Sequence, residues 1–293
     1  MKPFKPVYIS LIFFLTFQFF SCGSDNQVTD NEVVDDLSQN NILFSTIEVF
    51  KTLPSPVETA ELIQKTGVKF DENILNPVKN SPYYETSYSI ALNLGVYCAD
   101  LSYTTFYDQK QITMEYLSAV KAMADGLGLV EMIKKDDLLK LEDNLYDRDT
   151  IKSLIHDVFL SSGEFLNDNN RPEVALLVEV GGWIEGLYIA MQLAKQSGHI
   201  NKELVDRVAE QRNSLILVIS SLENFSNHQQ INEVLFDLKD LMKIYDKMVV
   251  PEGENFDSNA VLMLTKNSKA YVTPEIFLNL YHQISRIRNS YTQ

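Results

Sequence analysis

Cysteine is nearly missing from this chain: there are two in 293 residues, Cys22 and Cys98. A chain this long can bury enough apolar surface to fold without cross-links, so the core must hold it. Cys98 reads as a small buried residue, since no histidine partner for a catalytic thiol can be argued. Histidine is as scarce. His156, His199, His228 and His282 are scattered, with no HExxH and no Glu-x-x-His pair. That argues against zincin chemistry and against the carboxylate-bridged di-iron bundle. CxxC, GxSxG, Walker, GxGxxG and EF-hand patterns are all missing, so no cofactor, no metal and no catalytic residue is assigned. Basic residues are in deficit too, 25 Lys and Arg against 40 Asp and Glu, for a formal charge of −15. This balance disfavours nucleic acid and adsorption to anionic lipid.

Long apolar runs are equally rare. The first, "VYISLIFFLTFQFF" at 7–20, is interrupted by Ser10, Thr16 and Gln18. A spanning helix needs roughly 20 apolar residues, which this run does not supply. Lys2 and Lys5 before it and the small Ser21 after it fit a secretory leader, residues 1–21. "FFSC" resembles the lipobox of bacterial lipoproteins, in which the cysteine becomes the acylated first residue; Phe19 and Phe20 depart from the usual Leu-then-small pattern. The alternative is an ordinary leader with a chance cysteine. Cys22 is thus expected to carry the lipid that ties the chain to a membrane, two or more acyl chains giving a stable anchor. Without residues 1–21 the chain loses Lys2 and Lys5 and no acid, leaving 23 basic against 40 acidic side chains, a charge of −17.

Residues 22–41 are polar, acidic and poor in aromatics, the composition of a flexible tether, and ordered sequence is expected from about Ile42. The remainder, 42–293, reads as a single all-α domain. In "LPSPVETAELIQKTG", Ser55 can cap, Pro56 suits the first helical position, Glu58 completes a capping box and Gly67 stops the helix. Apolar spacing predicts further helices over 84–107, 109–127, 147–167, 172–197, 201–225, 229–248 and 274–290. "AVLMLTKNSKAYV", 260–272, reads as a loop over the bundle, with a small hairpin as the alternative. The fold class is therefore a multi-helix bundle of helical hairpins.

Two helices share a peculiarity. Ala91, Gly95 and Ala99 recur every four residues, as do Gly182, Gly186 and Ala190. Glycine inside a helix costs up to about 1 kcal/mol relative to alanine, so a packing reason is expected. These stripes are predicted to let backbones approach closely, against each other or against neighbours. A shift of 91 residues superposes the two stripes and brings Tyr97 onto Tyr188, which points to a degenerate internal duplication. Helix 172–197 is apolar nearly all round, hence either central or membrane-inserted; Glu179 and Glu185 argue for central.

Opposite the first stripe, Asn93, Tyr97, Asp100, Thr104 and Tyr107 form a polar and aromatic strip. It is expected either to line a cleft or to be a solvated face with tyrosines lying over the core. Glu185 and Tyr188, near Gln192, form either a buried hydrogen-bonded cluster or a binding site. Trp183, the only tryptophan, reads as core or as a ligand platform. Buried carboxylates are expected to have partners. "EDNLYDRD", 142–149, lacks the glycine and ligand rhythm of a calcium loop and reads as a solvated turn.

With "LPSPVETAELIQKTG" and "NLGVYCADLSYTTFYDQ", the chain resembles a group of helical lipoproteins from Bacteroidota. The resemblance implies an outer-membrane lipoprotein of the cell envelope and brings no activity or catalytic residue with it. Only Asp25 follows closely in "CGSDN", which leaves the periplasmic side and the cell surface both open. Three functions fit: a non-enzymatic binding or scaffold module meeting a protein, peptide or small ligand; an envelope hydrolase using Asp100 and Glu185 as a carboxylate pair; or a purely structural role in envelope assembly, which the sequence does not separate from the first. Intact-mass spectrometry of the protein from its native membrane should find residues 1–21 removed and acyl chains on Cys22. An intact leader or a free thiol at that position contradicts the anchor.

Overall fold

The computed structural model describes residue 49 and residues 51–129, 148–195, 200–248, 263–264 and 271–293. The leader, Cys22, the tether, the expected start near Ile42 and all of 142–149 except Arg148 and Asp149 lie outside them. The described residues belong to one unit, Gln39–Gln293, and are overwhelmingly helical.

Helix α1, Pro56–Lys65, begins on the predicted box. The Ser55 hydroxyl accepts from the Glu58 N–H at 3.2 Å, and the Glu58 carboxylate accepts from the Ser55 N–H at 2.8 Å. Gly67 follows its end at φ +74°, the left-handed conformation that stops a helix cheaply only in glycine. Helix α2, Ser87–Phe106, is capped by Thr86, and every residue from Ile90 to Phe106 is buried. Then come α3 (Lys110–Gly126), α4 (Arg148–Asp168) and α5 (Pro172–Lys195).

Helix α5 is long and apolar enough to cross a membrane, but 94% of its apolar window is buried inside the fold. It is the second central helix, as its all-round apolarity allows. It runs beside α2 in the same direction: Tyr88 lies near Arg171 and Glu173 at one end, and Asp100 meets Glu185 at the other.

The predicted helix over 201–225 is two helices, α6 (Lys202–Ala209) and α7 (Arg212–Glu223). The break has a local cause. The Gln211 side chain donates to the Arg207 carbonyl at 3.3 Å, the acceptor its own backbone N–H would use, and that N–H turns to Val208 at 3.1 Å. Helices α8 (Gln229–Tyr245) and α9 (Pro274–Tyr291) complete the bundle. Between them, β1 (Met263–Leu264) and β2 (Tyr271–Val272) pair antiparallel, so the stretch expected as a loop contains a two-residue ladder.

The small-residue stripes act where α2 meets α5. A Cβ on Gly95 would lie 2.1 Å from the Val178 carbonyl oxygen and 2.4 Å from the Gly182 nitrogen. One on Gly181 would lie 2.0 Å from the Leu92 carbonyl oxygen. Both obstacles are backbone and cannot swing aside. Gly181 belongs to neither predicted stripe, yet it is as close as any residue at the crossing. Gly186, the match of Gly95 at the 91-residue shift, faces Thr59 of α1 instead, so the superposed positions have different surroundings.

Candidate functional site

The polar strip of α2 is neither solvated nor a cleft wall. Asn93, Tyr97, Asp100 and Thr104 are buried; residues 68–84 bond to the first three, and Thr104 donates to the Leu101 carbonyl of its own helix. Tyr97 donates its hydroxyl to the Pro77 carbonyl at 3.1 Å, and Tyr107 donates to the Val68 carbonyl at 2.9 Å. The Tyr103 hydroxyl accepts from the Asp71 N–H at 3.0 Å. Tyrosine hydroxyls thus satisfy backbone groups that two short 3-10 helices, Glu72–Ile74 and Val78–Tyr83, leave without partners in this segment. Burial raises all three phenols, Tyr107 to about 12.

Asn76 is the hub of this cover. Its backbone N–H donates to Asp100 Oδ2 at 3.1 Å, its carbonyl accepts from the Tyr116 hydroxyl at 3.0 Å, and its amide donates to Asn93 Oδ1 at 3.3 Å. Asn93 in turn donates to the Tyr291 carbonyl at 2.7 Å, fastening the end of α9. Sequence reading missed Asn76, although Asn-Pro at 76–77 is a turn signal that marked the spot.

Asp100 and Glu185 do converge. Both are fully buried, and they lie close enough to share a hydrogen bond. Arg288 of α9, also missed from sequence, clamps Glu185 with Nε to Oε2 at 2.8 Å and Nη2 to Oε1 at 3.1 Å. Its Nη2 also reaches the Ile74 carbonyl at 3.3 Å, and its guanidinium sits 4.6 Å from the Tyr188 ring centroid. Burial alone would make Arg288 easier to deprotonate, but the charge of Glu185 outweighs it and holds the cation. A signal existed: position 288 falls in the apolar register of its helix with Leu280, Ile284 and Ile287.

Burial, and after it the charge of Glu185, lift Asp100 well above the ordinary carboxyl range. Its Oδ1 has no hydrogen-bond partner among deprotonated described groups. One proton held between the two carboxyls lets them share a hydrogen bond and leaves a single negative charge for Arg288 to balance. The hydrogen-bonded cluster, rather than an open site, is what surrounds Glu185. Glu179 departs from the partner rule. It is 5% exposed, is lifted well above the usual range by burial alone, and meets no cation among the described residues. Cys98 is fully buried and its thiol is pushed up by that burial, the opposite of an activated nucleophile. Among the described residues, no three of His, Cys, Asp and Glu gather as metal ligands.

Trp183 belongs elsewhere. It is 5% exposed and forms a wall of a pocket of about 200 Å³ between α1, α5 and α6. Gly186, Leu187 and Ala190 of α5 form its floor; Leu62 and Ile63 of α1 face Leu204 and Val208 of α6. Its polar lining comes from Thr59 of α1 and from Arg207, Glu210 and Gln211 at the end of α6. The Trp183 indole N–H donates to Gln211 Oε1 at 3.1 Å, so the residue that breaks the helix also fixes the wall. Gly186 and Ala190, read only as packing residues, also line this space, and Gly186 lets Thr59 of α1 come close to α5.

No protein-family model, curated protein or solved structure matches the chain.

Linkage sets the pH behaviour. Unfolded, Asp100 releases its proton near its ordinary 3.8; folded, it keeps the proton to much higher pH. Above 3.8 the folded state binds the extra proton, so stability falls by about 1.4 kcal/mol per pH unit until the folded value is passed. Asp100→Asn, which mimics the protonated acid, should flatten that slope and stabilise the protein at pH 7 by at least about 1 kcal/mol. Arg288→Met should cost about 3–5 kcal/mol by leaving Glu185 uncompensated. Urea unfolding across pH checks both. Equal damage by the two substitutions contradicts the assignment.

Proposed function

We propose that this chain is a lipid-anchored envelope protein working as a non-enzymatic binding module, with the α1–α5–α6 pocket as its ligand site. The anchor rests on the opening sequence, where a short leader ends at Cys22, and on the resemblance to Bacteroidota lipoproteins. The binding half rests on one observation: a mostly apolar concavity with a few polar groups in its lining, the usual form of a small-molecule site. Its volume, about 200 Å³, is small for such sites and suits a ligand of benzene to indole size.

The rival, a hydrolase using Asp100 and Glu185, needs both carboxyls to meet a substrate. Both are sealed at 0% exposure and are held by Asn76 and Arg288 in bonds that support the core. Converging carboxylates with shifted acidity are a catalytic signature only where they face a cleft. This pair is better explained as a structural cluster.

Thermal denaturation with indole, toluene and benzyl alcohol as probes tests the reading. At least one should raise the midpoint in proportion to its concentration, as mass action requires, and lose the effect in Leu187→Trp, which fills the floor. No rise with any of the three, in a cooperatively folded protein, overturns the pocket as a binding site.

A further inference from the structure

We infer that the pocket takes a short-chain apolar monocarboxylate, its tail among Leu62, Ile63, Leu187 and Leu204 and its carboxylate on Arg207; this rests on the reading of the pocket as a ligand site. The tail length follows from volume. A dry cavity of about 150 Å³ lined by aliphatic residues holds benzene, so about 200 Å³ open at one side accommodates roughly six to eight carbons.

The head group follows from Arg207. A guanidinium fork suits a carboxylate because it can offer two parallel N–H donors. In the structure the fork is underused. Among the described residues, its one side-chain contact is Nη1 to Glu210 Oε2 at 3.4 Å, well beyond the roughly 2.7–2.9 Å of a strong charge-assisted bond. The Arg207 side chain is 48% exposed, so it can turn towards the pocket while keeping its charge in water. A long pair whose cation is half in water contributes little, so Arg207 can turn to a ligand carboxylate at small cost. The other polar groups are less available. The Trp183 N–H is committed to Gln211, and Gln211 to Arg207's carbonyl, so both shape the wall rather than read the ligand. Glu210, on the same side, disfavours a second negative charge, which limits the ligand to one carboxylate.

Trp183 is the only tryptophan in the chain, so its emission reports this pocket alone. The full mature chain would be titrated with octanoate, octanol and octylamine, following Trp183 emission, in wild type, Arg207→Gln and Leu204→Phe. Saturable binding is expected with octanoate tightest, octanol about tenfold weaker and octylamine weakest. Arg207→Gln should weaken octanoate about tenfold and leave octanol unchanged, while Leu204→Phe should weaken all three. Far-UV circular dichroism checks that each variant is folded; Arg207 is half-exposed, so its substitution tests the head group even if the filled variant unfolds. Octanol or octylamine binding as tightly as octanoate, or octanoate indifferent to Arg207→Gln, overturns the carboxylate assignment while the binding-module reading stands. No response to any of the three, together with no midpoint rise from indole, toluene or benzyl alcohol, overturns both.

Discussion

Two backbones in direct contact set the geometry of this protein. Where α2 crosses α5, Gly95 and Gly181 remove the side chains that would hold the helices apart, and carbonyl oxygens occupy the space a Cβ would need. Glycine there gives up helix propensity, about 1 kcal/mol per residue. The return is a close pair of central helices whose remaining faces are covered on every side. Asp100 lies five residues beyond Gly95, and Glu185 lies four beyond Gly181. The crossing therefore presses two carboxyls into one water-free volume, and the rest of the polar core answers that problem.

The answer combines charge and covering. Arg288 supplies a cation from α9, and the proton retained on Asp100 removes the second negative charge. Residues 68–84 then close the remaining side, exchanging backbone bonds with tyrosine hydroxyls along α2. A buried ion pair of this type is weak as a source of stability, because desolvation offsets most of the attraction. It is strong as a locator: Arg288 can be satisfied in one place only, which docks α9 in one register. Further along α5, Gly186 brings α1 close at Thr59, and a pocket lies beside that contact between α1, α5 and α6.

The parts of this arrangement that are local in sequence were legible. Ser55, Pro56, Glu58 and Gly67 marked α1 at both ends, and apolar periodicity placed the longer helices within a few residues of their observed bounds. The four-residue stripes announced close packing because interior glycine needs a reason. What stayed hidden depends on partners far along the chain. Arg288 meets Glu185 across 103 residues and Ile74 across 214. The strip from Asn93 to Tyr107 looked accessible because nothing in its own spacing reveals that residues 68–84 fold back over it. The break at Gln211 was invisible for a different reason: glutamine is a good helix former, and its side chain bonds the Arg207 carbonyl in place of its own N–H. The pocket was not readable either, since an empty space is made of what several helices fail to fill.

The dependence of the core on the α2–α5 contact is tested most directly by adding one methyl group to it. Gly181→Ala raises intrinsic helix propensity, so a loosely packed helix would gain up to about 1 kcal/mol. With a Cβ 2.0 Å from the Leu92 carbonyl oxygen, the fold must instead separate its two central helices. Denaturant unfolding should show a loss at or above the upper end of the usual overpacking range of about 1–3 kcal/mol. Gly126→Ala serves as the control, because its Cβ would meet only the flexible tip of Ile90 at 3.0 Å and should be tolerated. A Gly181→Ala protein as stable as the wild type would contradict the crossing and the account built on it.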